Sequence, residues 1–97
     1  MQSLAAGAGT TVAIRLPGAL REHASGAAEV LLPARTVGEA LRTLTDRHPP
    51  LRRHLFDDAG ALRGYVNVYL DSRDVRDLST PLRPGATLTI VPSVAGG

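Results

Sequence analysis

The chain has 97 residues, of which 43% are hydrophobic and 21% charged, so it is one small domain, too apolar to be disordered and too mixed to be a membrane protein. It contains no cysteine, which excludes disulfides, a thiol nucleophile and a cysteine-based zinc site. No basic residue precedes Arg15, and no apolar run approaches the roughly 18 residues of a membrane helix. We therefore predict neither a secretory signal nor a membrane span, and we expect a cytoplasmic protein.

The positive charge of the chain comes from arginine alone. The formal net charge is +2, and the 11 basic side chains other than histidine are all arginine. They are scattered from Arg15 to Arg83, and the densest pair, Arg52 and Arg53, does not form a basic tract. Only 3 residues of the Phe, Tyr and Trp types are available to stack on bases. Neither a nucleic acid nor a membrane is therefore an expected partner.

The N-terminal third predicts an arm followed by a hairpin. Residues 1–10 are small, rich in Gly and Ala and without periodicity, so a disordered arm is predicted. Residues 11–16 alternate at the two-residue period of a half-buried strand. Residues 28–32, which end at Pro33, predict a second strand. The segment between the two strands is predicted to be a long loop.

The sequence clearly predicts one helix. Thr36 and Glu39 have the spacing of a capping box, with Thr36 at the N-cap and Glu39 at the third helical position. The apolar residues that follow at helical spacing form one stripe: Val37, Ala40, Leu41 and Leu44. Because a residue before proline is pushed out of the helical region, the helix is predicted to end near Arg47 or His48.

The C-terminal half predicts three further strands. Residues 65–70 alternate strongly, residues 74–76 form a short strand after a turn, and residues 87–91 form the last strand, ended by Pro92. Residues 51–56 carry at most one short helical turn. The order strand, strand, helix, strand, short strand, strand predicts an α+β fold with a mixed sheet of about five strands packed on one main helix, which is the order of a β-grasp fold.

The sequence offers no set of residues that resembles an active site. His23, His48 and His54 have no common zinc spacing, and they are interpreted as surface residues. The three aspartates between residues 71 and 77 lack the glycine and terminal glutamate of a calcium loop. No serine has a histidine at a spacing that indicates a catalytic triad. We expect a protein that is not an enzyme and that holds no metal or cofactor.

The last residues are the most distinctive feature of the chain: Ser93, Val94, Ala95, Gly96 and Gly97. Glycines without side chains can lie extended in a narrow channel, and they leave the α-carboxylate without steric cover. Five extended residues span about 17 Å. The sequence therefore predicts a flexible tail over residues 93–97, after a domain over residues 11–92, that can reach into another protein's active site.

At this point the residues resemble a known family. Residues 82–85 (Leu-Arg-Pro-Gly), the strand over 87–91 and the ending Pro-Ser-Val-Ala-Gly-Gly over 92–97 are similar to the small sulfur-carrier proteins of the MoaD/ThiS type, which are ubiquitin-like β-grasp proteins. Residues 65–76 are most similar to the CysO branch of that family. One departure is Ala86, where many members have an acidic residue.

The resemblance implies a carrier function. The Gly97 carboxylate would be adenylated with ATP by an E1-like enzyme of the MoeB/ThiF type and converted to a thiocarboxylate. In the CysO branch the sulfur goes to an intermediate on a CysM-like, PLP-dependent synthase, and a metalloprotease then frees cysteine. In other branches the acceptor belongs to the synthesis of molybdopterin, the thiamine thiazole or a 2-thiosugar. ATP and PLP would belong to those partners.

The resemblance also implies where partners bind. In the tail the expected contact residues are Val94, Ala95 and Gly96, and on the outward sheet face they include Val91 and Tyr69. Two alternatives remain open: a ubiquitin-like modifier, whose Gly97 would be joined to lysines of target proteins, and a β-grasp interaction module that carries no reactive group. The chain itself has no lysine, so it could not form chains on its own side chains.

Overall fold

A computed structural model describes residues 10–92. The predicted tail over 93–97 and the predicted arm, apart from Thr10, lie outside the described residues. Over the described range, every helix is too short or too polar to cross a membrane.

The five predicted strands form one mixed sheet. Its order is β2-β1-β5-β3-β4, with β1 and β5 parallel and the other neighbours antiparallel. The strands are β1 (Thr11–Arg15), β2 (Glu29–Pro33), β3 (Val66–Leu70), β4 (Arg73–Val75) and β5 (Thr87–Pro92). The last strand of the chain is therefore the central strand of the sheet, and the predicted α+β architecture is confirmed.

Within residues 10–92, three α-helices and two 3-10 turns accompany the sheet. The helices are α1 (Gly18–Arg21), α2 (Val37–Arg47) and α3 (Arg52–Leu55), and the 3-10 turns are Glu22–Ala24 and Pro49–Leu51. The main helix, α2, begins and ends as predicted. Its apolar stripe is fully buried in one cluster with the inward side chains of the sheet, among them Ile14, Val68 and Leu88.

The start of α2 differs in one detail from an ideal capping box. The Thr36 Oγ1 atom accepts a hydrogen bond from the Glu39 backbone N–H at 3.1 Å, as predicted. The Glu39 carboxylate accepts at 2.5 Å from the N–H of Arg35, one residue before the N-cap, instead of from Thr36 itself. Two backbone donors at the helix start are still satisfied, so the predicted function of the pair is kept.

One segment and the end of the last strand differ from the sequence predictions. The predicted loop between β1 and β2 contains α1 and a 3-10 turn, which bury Leu20 and Ala24. This short helical segment ends at Ser25, whose φ is 58°, and at Gly26, whose φ is 83°. Pro92 does not end the last strand but pairs with Val66.

Several arginine side chains form hydrogen bonds with the backbone of other segments. In residues 10–92, those of Arg21, Arg47, Arg63 and Arg76 donate to backbone carbonyl oxygens of residues outside their own helix or strand. The Arg76 guanidinium donates to the carbonyl oxygens of Val66 at 2.7 Å and Arg63 at 2.9 Å, which fixes the segment that leads into β3. These four arginines therefore have a structural role.

Candidate functional site

The end of β5 is the point from which the chain continues to the predicted tail. β5 pairs in parallel with β1 through Thr87–Thr89 and antiparallel with β3 through Leu88–Pro92. Ile90 is buried, whereas Val91 is 40% exposed on the outer face of the sheet. The last described residue, Pro92, is held against the start of β3 by its pairing with Val66. The end of the strand is thus fixed relative to the rest of the sheet.

The outer side of this region carries a mixed aromatic, polar and aliphatic surface. We call it the β3–β5 face, and its residues are Asn67, Tyr69, Thr89 and Val91. Val91 lies directly opposite Asn67, and Tyr69 lies opposite Thr89. These side chains share one face because alternate residues of neighbouring strands point to the same side.

Charged residues border the β3–β5 face along one row across the sheet. Thr89 is paired with Arg15 on one side and with Tyr69 on the other, and Tyr69 is paired with Asp74. Arg15 is in turn paired with Glu29 on β2. The row has both signs of charge, so the face favours a partner surface with mixed charge over a strongly acidic or basic one.

A small apolar cavity lies behind the β3–β5 face, at the end of β5. Its volume is about 220 Å³. We call it the β5-end cavity, and its lining residues are Ala19, Leu20, His54, Tyr65, Val66, Ile90 and Pro92. The cavity therefore connects the end of the central strand to the short helical segments α1 and α3.

Two of the three histidines, which were predicted to be surface residues, contact each other. The rings of His23 and His54 stack with centroids 4.3 Å apart and an interplanar angle of 26°. Both are partly buried. Sequence reasoning missed the pair because the two residues lie on different short helical segments, one of which was predicted to be a loop. His48, also partly buried, ends α2 in a non-helical conformation.

Two of the three aspartates between residues 71 and 77 accept hydrogen bonds from backbone N–H groups. Asp71, with a φ of 56°, accepts a hydrogen bond from the Thr87 N–H at 3.2 Å. Asp77 accepts from the hydroxyl and the N–H of Ser79, and these hydrogen bonds lower the pKa of its carboxyl. Over residues 10–92 no group of three or more His, Asp or Glu side chains is placed to hold a metal ion.

The predicted site residues fall into two groups. Val91 and Tyr69 lie on adjacent strands of the β3–β5 face. Gly97 and the predicted contact residues of the tail, Val94, Ala95 and Gly96, lie outside the described residues. The structure therefore locates the sheet part of the candidate site and the strand end from which the tail part follows.

Solved structures with the same architecture define the class of this protein. The crystal structure of small archaeal modifier protein 1 from Haloferax volcanii has a TM-score of 0.81 and 31% identity, covering 90% of this chain and 99% of that chain. A CysO from Amycolatopsis orientalis, crystallised in a complex with BexX, has a TM-score of 0.80 and 35% identity, covering 89% and 99% of the two chains. The fold is the ubiquitin-like β-grasp fold.

Sequence comparison then gives the family. The profile of the ThiS family matches residues 14–97. Sulfur carrier protein CysO from Mycobacterium tuberculosis is 33% identical over 91 residues, which cover 89% of this chain and 98% of that protein. The chain belongs to the ThiS family of sulfur carriers, close to CysO. It is a small carrier protein and not an enzyme, as predicted.

Proposed function

We propose that the carboxylate of Gly97 is the reactive group of this carrier. The observation that carries the proposal is the family match, which runs from residue 14 in β1 through Gly97. The last matched residues follow β5, the central strand, which is paired with β1 on one side and β3 on the other. A carrier of this kind needs its reactive end presented to partners and its body left unchanged between reactions. An end that follows a central strand meets both needs.

The proposed chemistry needs an activating partner because a carboxylate is a poor acyl donor. A carboxylate oxygen of Gly97 attacks the α-phosphorus of ATP on an E1-like enzyme, which forms an acyl-adenylate and releases pyrophosphate. A sulfur nucleophile then attacks the acyl carbon and displaces AMP. The product after sulfur transfer is a Gly97 thiocarboxylate, whose ionised sulfur is the nucleophile for the next enzyme.

Cysteine is the product that the similarity to CysO supports. In that route the thiocarboxylate sulfur adds to an aminoacrylate held by a PLP-dependent synthase, and a metalloprotease releases cysteine from the carrier. Delivery to a molybdopterin, thiamine thiazole or 2-thiosugar synthase would use the same thiocarboxylate. The acceptor enzyme that reacts with the loaded carrier therefore distinguishes the routes.

Partner binding is proposed to combine the tail with the β3–β5 face. Val91 and Tyr69 are accessible beside the strand from which the tail follows. Aromatic and aliphatic side chains of this kind are typical anchors in interfaces. The complex formed by the Amycolatopsis CysO with BexX supports binding of this chain to a partner protein.

The second candidate function is that of a protein modifier. It is supported by the structural similarity to small archaeal modifier protein 1 and by 37% identity to that protein over 62 residues. That alignment covers 64% of this chain, whereas the alignment with CysO covers 89%. The carrier function is therefore the better supported of the two.

Intact-mass analysis tests the carrier function. The full chain is incubated with ATP, a sulfide source and an E1-like enzyme that has been shown to load a CysO. The expected result is a mass increase equal to the exchange of one oxygen for sulfur, located at Gly97 by fragmentation. A variant without Gly97 is the control and should gain no sulfur. An unchanged mass with the verified enzyme would contradict the proposal, and isopeptide conjugates to other proteins would favour the modifier.

A further inference from the structure

The two stacked histidines connect two short helical segments, which also bury Leu20, Ala24 and Leu55 in the core. His23 lies in the 3-10 turn Glu22–Ala24, and His54 lies in α3. Their ring centroids are 4.3 Å apart. At this distance two neutral imidazole rings attract each other as aromatic rings do. Two protonated rings repel each other.

One ring nitrogen of the stack is buried without a partner. The Nε2 atom of His54 has no hydrogen-bond partner among the described residues and is shielded from solvent. The same side chain lines the β5-end cavity together with Leu20 and Pro92. A buried unpaired nitrogen carries a desolvation cost, and the cost rises sharply when the ring is charged.

The charges around His54 also oppose protonation. Burial is the largest cause that lowers the pKa of His54, followed by His23, Arg53 and Arg63. Glu22 acts in the opposite direction. Its carboxylate lies 3.6 Å from the Nε2 atom of His23, but the Glu22 side chain is 79% exposed, so its effect is screened. The remaining titratable group that lines the same cavity is Tyr65.

We propose that the His23–His54 stack is a proton-sensitive latch: it holds residues 18–24 against α3 while His54 is neutral, and uptake of a proton by His54 releases the two segments and opens the β5-end cavity beside Pro92. The latch is a property of the folded domain. It does not depend on the proposed chemistry of Gly97.

The direction of the effect follows from the lowered pKa of His54. Its ordinary value is 6.5, so between that value and the lower folded-state value the open or unfolded form binds more protons than the closed form. By linkage, the closed form is fully stabilised above the ordinary pKa and loses stability as the pH falls below it. The latch is therefore closed at neutral pH and opens in mildly acidic solution.

Hydrogen exchange on the full-length protein tests the latch. Exchange of the amides of residues 18–24 and 52–55 is measured from about pH 7.5 to about pH 5 and corrected for the intrinsic pH dependence of exchange. In the wild type the opening constant of these two segments should rise severalfold as the pH falls. The strands should show a smaller change. In His54→Phe, which keeps a ring but cannot be protonated, the rise should disappear, and in the control variant His48→Gln it should remain.

A second measurement keeps the test decisive if His54→Phe does not fold. The three histidines of the wild type are titrated by NMR. The ring signals of His54 should titrate at lower pH than a free histidine side chain, and the amide signals of residues 18–24 should move with the same midpoint as His54. The proposal is overturned if those amides follow another midpoint, or if His54→Phe shows the same pH-dependent opening as the wild type.

Discussion

The backbone of Gly38, in the first turn of α2, lies directly against Leu78. The Gly38 N–H donates to the Leu78 carbonyl oxygen at 2.8 Å. A Cβ atom on Gly38 would lie 3.0 Å from both the Cβ atom and the carbonyl oxygen of Leu78. Since this contact involves backbone, it cannot be relieved by turning a side chain. The loop before β5 can therefore pack closely against α2 because Gly38 has no side chain.

Gly38→Ala is predicted to destabilise the protein by about 1–3 kcal/mol, the usual cost of inserting a methyl group into a well-packed site. Urea unfolding followed by circular dichroism measures the change. Gly18→Ala is the matched control: Gly18 also lies in a helix, and a Cβ atom there would have nothing within 4 Å. Equal stability of Gly38→Ala and the wild type would show that the close approach of Leu78 is not a constraint.

Thr36→Ala is predicted to lower the free energy of unfolding by about 1 kcal/mol, because it removes the side-chain acceptor for the Glu39 N–H. Thr36→Ser keeps the hydroxyl oxygen and should retain most of the stability. Both variants can be compared by urea unfolding. If alanine and serine at this position behave alike, the hydroxyl is not the source of the stabilisation.

Arg76→Ala is predicted to loosen the segment that leads into β3. It leaves the carbonyl oxygens of Val66 and Arg63 without the guanidinium donor, and we expect a loss of about 1 kcal/mol. Faster hydrogen exchange confined to residues 62–66 is the more specific sign. Arg73→Ala, which removes an exposed arginine of β4, should change stability by less than about 0.5 kcal/mol. A comparable effect of the two variants would argue against a stabilising role of the Arg76 hydrogen bonds.

Val91→Asp is predicted to slow loading of the carrier by an E1-like enzyme about 10-fold or more, because it places a charge at the proposed centre of the partner interface next to Tyr69. The rate of thiocarboxylate formation is measured by intact mass, and circular dichroism checks the fold. The control is Leu31→Asp, which changes a residue of β2 that is 59% exposed. Equal loading of the two variants would place the interface elsewhere.

The regular elements could be predicted because each has a local cause. The helix α2 follows from the capping residue Thr36, one apolar stripe and the proline after His48. The strands follow from alternation, and the inward residues of β3 and β5 are buried as their spacing predicts. These signals lie within a few residues of one another, so the sequence contains them directly.

Features made by long-range contacts could not be predicted. The helical segment Gly18–Ala24 has no side-chain cap, and it forms because the core accepts Leu20 and Ala24. The stack of His23 on His54 and the hydrogen bonds of Arg76 join residues far apart in the chain. For the candidate site, Val91 and Tyr69 could be placed on one face by alternation, but the cavity behind them depends on this unforeseen segment.

The central position of β5 has a mechanical consequence. A protein that draws the end of this chain into a cleft and later lets it go applies a pulling force at Pro92, along the axis of a strand that is bonded to neighbours on both flanks. The hydrogen bonds on either flank then resist sliding together, instead of opening one at a time as they would if an edge strand were peeled away. The domain can thus withstand repeated force at the end of β5 without unfolding.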